Sequence, residues 1–320
     1  MIHDTFLHDA IRATWAIRHS ALRSILGTEP TSVAARRKLP KVEGRVAVLP
    51  VHGVISQRAS IWDAIFGGTS TEALGAAYTR AVNDDRISAI VLDVDSPGGT
   101  VAGVEELADI IFQGSQIKET AAIANSEAAS AAFWIASQVG FGQKRFAAAP
   151  GSDAGSIGVF RMHEDHSEAM ASEGVQVTFI ATPEFKTEAN PFAPLSKAAL
   201  DHHGGQVQDT YDRFVAHVAR GRGVSAEQVR SKFGKGRTFE SREAARVGMV
   251  DRVSTLAGLF GELGVNAGNS QLSAADCKDM TDTLCHAWEC GLPEPMANPH
   301  QERAERMRKQ MGIDKPTDKT

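Results

Sequence analysis

A serine at the start of a helix, a glycine pair closing a strand and a lysine flanked by aromatics are the residues of this chain whose types and spacing could do chemistry. Ser130 opens the segment Ser130-Ala131-Ala132-Phe133-Trp134-Ile135-Ala136-Ser137, directly after a strand-like run that ends in small residues. At a helix start, a serine oxygen commonly accepts a bond from a free backbone N–H as an N-cap. A nucleophile wants the same place, because those N–H groups stabilise developing negative charge. Residue types alone leave both roles open. The nucleophilic role also requires a base. No histidine occurs between His52 and His163, and His163, His166, His202, His203 and His217 stand in polar surroundings that read as solvent-facing. A lysine can serve instead when burial keeps its amine neutral near pH 7. Lys186 fits, since Phe185 and Phe192 stand on either side to desolvate it, although a loop lysine is ordinarily solvated.

Two further segments bear on the same chemistry. In Asp95-Ser96-Pro97-Gly98-Gly99-Thr100, consecutive glycines at a strand's end let backbone N–H groups turn outward toward an oxyanion. The bland reading is a tight strand-to-helix turn. Phosphate binding is disfavoured, because the G-x-x-x-x-G-K-S/T spacing and its lysine are absent. The run Gly151 to Phe160 is either another structural turn or a wall of the cleft, with Ser152 or Ser156 orienting the lysine amine. Cys277, Cys285 and Cys290 are odd in number and lack C-x-x-C spacing, so they read as reduced, incidental thiols. His286 beside Cys285 lacks a second close pair of ligands, and no metal site is expected.

Strand ends and helix starts must hold these groups. Apolar runs at Val46 to Val54, Ile87 to Val94, Thr120 to Ala124 and Val175 to Ala181 predict strands. Between them, Thr71 to Val82, Val101 to Phe112 and Ala131 to Val139 predict helices, and the alternation implies a largely parallel sheet in an α/β fold. Ala89-Ile90-Val91-Leu92 is apolar without interruption, as expected of a strand covered on both faces. Ser196 should cap a long helix ending near Gly221 and Gly223, Ser225 to Gln228 fits a capping box, and Ser241 to Gly248 brackets a short helix before a strand at Met249 to Val253. Residues 1–26 place Phe6, Ala10, Ile11, Trp15, Leu22 and Ile25 on one face of an amphipathic helix. The expected organisation is an N-terminal helix and linker (1–44), a globular domain (45–263) and a polar, peripheral or disordered tail (264–320).

Composition bounds the rest. With 320 residues, 42% hydrophobic and 23% charged, the chain can bury a sizeable core, which excludes a mostly disordered protein. A net charge of −5 argues against nucleic acid as a partner. No window approaches the ~18–20 apolar residues of a membrane span. Asp9, Arg12 and Arg18 interrupt what would be the central run of a signal peptide, so a soluble, cytoplasmic product is expected.

Taken in order, Asp95-Ser96-Pro97-Gly98-Gly99, Ser130 to Ser137, Gly155-Ser156-Ile157-Gly158-Val159 and Lys186 followed by Asn190-Pro191-Phe192 resemble the family S49 serine peptidases, the group of signal peptide peptidase A and the phage capsid proteases. The resemblance covers about Arg45 to Val253. It implies a Clp-protease/crotonase-like superhelix of ββα units and a Ser-Lys dyad. Ser130 would attack the scissile carbonyl, Lys186 would take its proton, and the N–H groups of Gly99 and Ala131 would form the oxyanion hole. Gly98, Ser152 and Ser156 would line the cleft. Extended peptide would pair through its main chain beside the glycine turn, with small apolar residues at the cut. No cofactor enters this chemistry. Ala131-Ala132 departs from the Gly-Gly that signal peptide peptidases often carry there, which leaves the N–H in place and puts the size of the substrate side chain in question. Single-length members form rings, so a homo-oligomer is expected, with Lys186 acting within or across subunits. Gly44 to Val54 and Val101 to Val104 look like the phage type, which implies a head maturation protease cutting scaffold, portal or other capsid-assembly proteins. The alternatives are a soluble bacterial peptidase degrading signal-peptide remnants, a crotonase-like acyl-CoA enzyme, or a non-catalytic assembly protein.

Overall fold

Short runs of aliphatic residues pair edge to edge because each alone leaves a row of unsatisfied backbone groups. In the computed structural model, which describes residues 13–26, 38–58, 68–140, 145–264 and 273–290, ten strands among the described residues form one sheet. In chain order the elements are β1 (Trp15–Ile17), α1 (His19–Leu26), β2 (Lys41–Glu43), β3 (Val46–Ser56), β4 (Thr69–Ser70), α2 (Thr71–Asn83), β5 (Ala89–Thr100), α3 (Val104–Ile117), β6 (Glu119–Ala129) and α4 (Ala131–Ala136). There follow β7 (Phe146–Ala148), β8 (Asp153–Gly155), α5 (Ser167–Ser172), α6 (Lys197–Arg222), α7 (Ala226–Lys232), β9 (Thr238–Glu240), α8 (Ser241–Val247), β10 (Arg252–Val253), α9 (Leu256–Glu262) and α10 (Ala274–Cys290).

The central order is β10-β7-β6-β5-β3-β2, parallel from β10 to β3 with β2 antiparallel at the edge. This is the α/β alternation expected from the sequence, and α2, α3 and α4 stand where their apolar spacing places them. Both faces of the sheet are covered. Ile90 and Leu92 point into the main core with α2 to α4, while Ala89 and Val91 meet Leu259 of α9 on the other side. Each such aliphatic side chain contributes roughly 1.5–3 kcal/mol on burial. The register of β5 shifts against β3 between His52 and Val54, and against β6 between Val94 and Ser96. These irregularities offset the end of β5, where Gly98 and Gly99 pair with Val54 and Ile55 on one edge and with β1 on the other.

Caps behave as the sequence indicates. Ser196 accepts a bond from Ala199 N–H (3.1 Å) and Ser225 from Gln228 N–H (3.1 Å), and Gly223 and Gly248 close α6 and α8 in left-handed conformations. Three expectations are corrected. Residues 1–26 are not one helix: residues 1–12 lie outside the described residues, Trp15–Ile17 is a strand paired with β5, and the helix begins only at His19. Tertiary pairing overrides a spacing that suited a helix. Val175 to Ala181 forms no strand, because an alternating run needs a partner edge and none is supplied among the described residues. Part of the tail is ordered core. Met280, Leu284 and Trp288, one turn apart on α10, are buried against α2 and β2, and the Cys277 and Cys285 thiols meet the Gly44 and Pro40 carbonyls. The proposed linker's residues 27–37 lie outside the described residues.

The helix that follows Ser130 is held from behind by α6. Trp134 stacks on Phe214 with ring centroids 4.3 Å apart and donates its indole N–H to His217 Nδ1 at 3.0 Å. His217 is therefore a half-buried acceptor rather than the solvent-facing residue expected, and burial, then Arg220, holds its pKa below the usual histidine range. Gly221 lets α6 approach this far. A Cβ there would stand 2.1 Å from the Ser137 carbonyl oxygen, a backbone atom that cannot swing aside. Helix propensity alone would make Gly221→Ala stabilising by about 1 kcal/mol. The backbone clash outweighs that gain, and the variant is expected to lose about 1–3 kcal/mol net, read as a lower urea midpoint.

Candidate active site

Ser130 stands between the end of β6 and the first residue of α4. Its φ of 55° and ψ of −116° lie where side-chain-bearing residues rarely sit, a strain that the surroundings must hold in place. They do so with Ser130 N–H donating to Gly155 O at 2.7 Å and Trp134 N–H donating to Ser130 O at 2.9 Å. The hydroxyl makes no capping bond to α4, and instead donates to Gly158 O at 3.3 Å. The N-cap role left open by the sequence is thus not the one this serine plays. Ala131 is the first residue of α4, so its N–H is among those a helix leaves without an intrahelical acceptor.

The glycine turn abuts this serine. Gly98 has φ +100°, and a methyl group on it would stand 3.0 Å from Ser130 Cβ. Ser96 Oγ shapes the turn by accepting from Gly98 N–H (3.1 Å) and donating to Gly53 O (2.6 Å). A Cβ on Gly99 would fall 1.8 Å from Ile55 O, so no other residue fits there without moving β3. The structure therefore brings together Ser130, Ala131, Gly98 and Gly99. It does not bring Lys186 to them within one chain. Lys186 sits in a single 3₁₀ turn, Glu184–Thr187, exposed, with no hydrogen bond from its ammonium to Ser130. Phe185 and Phe192, expected to desolvate it, are themselves exposed (59% and 38%). Ser152 donates to Ala149 O at 2.8 Å, and Ser156, with φ 54°, is tied through its N–H to Arg237 O. Neither meets the lysine.

Sequence reasoning passed over two features at this site. Glu127, three residues before Ser130, lies opposite Asp153 in the β6–β8 pair and takes Arg18 Nε at 2.9 Å. Burial first, then Asp153 and Asp95 against the opposing pull of Arg18, pushes its pKa up to about 7 from 4.5. The folded chain thus holds this proton more tightly than the unfolded one, so its contribution to stability is complete below pH 4.5 and is lost as pH rises through about 7. Glu127→Gln should flatten that fall in a series of thermal melts across the window. An unchanged slope would contradict the assignment. The second feature is β1, which lies along the glycine turn. Its only sequence signal was a Trp-Ala-Ile triplet hidden within a helical spacing.

His52 pairs with Asp93 at 3.4 Å, and Asn125 donates to Asp93 at 2.9 Å. Burial would raise the Asp93 pKa, but these hydrogen bonds outweigh it and the net shift is downward. The His52 ring makes no hydrogen bond to Ser130. No group of His, Cys, Asp and Glu among the described residues could hold a metal ion, and no helix there is long and apolar enough to cross a membrane.

Comparison with known proteins shows what the chain is similar to. The family model of peptidase family S49 matches residues 113–268, the stretch holding Ser130 and Lys186. Over that stretch the chain is similar to peptidase family S49. Among its relatives, capsid assembly protease C of Escherichia phage lambda is 27% identical over 77% of this chain and 55% of its own length. Head-tail preconnector protein GP5 of Enterobacteria phage P21 is 28% identical over 78% of this chain and 48% of its own. Protease 4 of Haemophilus influenzae is 27% identical over 70% and 35%. The chain thus spans about half the length of the curated relatives it matches first. A ClpP1 variant of Listeria monocytogenes aligns in structure at 16% identity and TM-score 0.38, covering 66% of this chain and 94% of the other. The repeated parallel strand-turn-helix units of this chain are the α/β arrangement that the sequence implied.

Proposed function

We propose that this protein is a serine endopeptidase of phage or prophage head maturation, working in the host cytoplasm or the assembling head and cutting scaffold, portal or other capsid-assembly proteins. The observation that carries the reading is Ser130 itself, strained, free of any capping role and set against the Gly98-Gly99 turn. Ser130 Oγ attacks the scissile carbonyl, the N–H groups of Gly99 and Ala131 receive the oxyanion, and a neutral Lys186 carries the proton to the leaving amine. The lysine comes from a second copy of the chain. Its own chain leaves it exposed, and Phe179, Ile180, Phe185, Phe192 and Leu200, before and after it in sequence, are exposed as well, which suits a surface that becomes dry only when copies assemble. Two phage relatives named for capsid and head-tail work support the choice of substrates.

A second reading, a peptidase that clears small peptides, is favoured by the relatives Protease 4 and the putative signal peptide peptidase SppA of Enterococcus faecium. Incubation with scaffold and portal proteins, beside short peptides and an enoyl-CoA, separates these. Discrete cuts in scaffold or portal are expected. Turnover of short peptides alone would favour the second reading, and hydration of the enoyl-CoA without proteolysis would overturn both.

A further inference from the structure

Three residues make too short a strand to stand alone, so the place of β1 is set by what it pairs with. Arg18 N–H donates to Pro97 O at 2.8 Å and Val101 N–H donates to Thr14 O at 3.0 Å. These two bonds set the alternation of the antiparallel ladder. Ala16 and Gly99, directly opposite each other, are therefore the pair that exchanges both N–H···O=C bonds. The other edge of β1 is also taken, because Trp15 and Phe160 exchange both bonds at 2.9 and 3.0 Å. Thr14 to Arg18 thus runs as a middle strand between the glycine turn and the segment after Gly158.

The Ala16 carbonyl lies at the serine. A methyl group on Gly98 would stand 2.2 Å from Ala16 O and 3.0 Å from Ser130 Cβ, so those two atoms are no farther apart than the sum of the two distances. Ala16 and Ser130 are both 0% exposed, so the serine lies closed off from solvent beneath this strand. Main-chain pairing on both edges, a small residue whose carbonyl lies near the serine, and that carbonyl oxygen on the Gly99 N–H are what an extended peptide would present on the way to being cut. Arg18, two residues on, is anchored to Glu127.

We propose that Thr14 to Arg18 is a built-in substrate and that Ala16–Ile17 is the bond this protein cuts in itself, clearing the groove for other chains. The inference rests on Ser130 being the nucleophile. Ser130 Oγ bonds to the Ala16 carbonyl carbon as its proton passes to the lysine amine, and the Ala16–Ile17 C–N bond breaks as that proton reaches the Ile17 nitrogen. Water, giving its proton back to the lysine, then cleaves the ester. The products are a carboxylate on Ala16, a chain beginning with the free amine of Ile17, and a regenerated serine.

The full-length chain, incubated at neutral pH and followed by intact mass and N-terminal sequencing, tests this, with hydrolysis of an unrelated peptide measured on the same sample. A product beginning at Ile17 is expected from the wild type and from Ala16→Gly, with at least tenfold less from Ala16→Trp and none from Ser130→Ala. Because Ala16 is buried, Ala16→Trp is compared at a urea midpoint near that of the wild type, and Ala16→Gly and Ser130→Ala carry the test where tryptophan unfolds the chain. A preparation that hydrolyses the unrelated peptide while Ala16–Ile17 stays whole overturns the inference and leaves the peptidase reading standing. Cutting at Ile17 that persists in Ser130→Ala assigns it to another protease and also overturns the inference. A wild type that cuts neither bond overturns both readings.

Discussion

Ser130→Ala is expected to lower peptide hydrolysis by at least about 10⁴-fold, because without the hydroxyl no acyl-enzyme forms and only binding and the oxyanion donors remain. The change removes one oxygen whose single bond, to Gly158 O, is a long 3.3 Å. An alanine side chain is no bulkier, and the strained backbone is held by bonds from Ser130 N and O that the substitution does not touch. Far-ultraviolet circular dichroism and the urea midpoint should therefore stay near the wild type while turnover and labelling by a serine-reactive fluorophosphonate vanish. Retained turnover in a folded variant would remove the nucleophile from the proposed mechanism.

Lys186→Ala should cost about 10³-fold, the scale on which a positioned general base contributes. Little stability should go with it, since the side chain is exposed and no hydrogen bond or ion pair ties it down among the described residues. The more telling result comes from mixing. If the lysine serves the serine of a neighbour, co-assembly of Ser130→Ala with Lys186→Ala subunits rebuilds intact pairs, roughly a quarter of the sites by random placement in a symmetric ring. Restored turnover in the mixture, with each variant silent alone, establishes action across subunits. A silent mixture whose co-assembly is verified places the lysine in the same chain as its serine, and the segment from Val175 to Phe192 would then have to fold inward.

Local sequence carried a good deal of this protein. The uninterrupted apolarity of Ala89 to Leu92 is enough to demand cover on both faces, and the small residues that close β5 and β6 announce the helices that follow. Ser196 and Ser225 marked their helix starts for equally local reasons. Met280, Leu284 and Trp288 show where this reading fell short. Their four-residue spacing was visible, but the polar residues between them suggested a tail, and only a groove between α2 and β2 makes the apolar stripe worth burying.

The pattern of residue types alone determined the order of turn, strand and helix that sets Gly98, Gly99 and Ser130 together, because periodicity and turn chemistry act over a few neighbours along the chain. What Ser130 does with its hydroxyl and where Trp15 to Ile17 lie were decided only in three dimensions. Each depends on partners far away in sequence: the Gly158 carbonyl, and the two open strand edges between which β1 completes its hydrogen bonds. A spacing of apolar residues shows that a face must be covered, but it carries no information about which distant backbone will cover it.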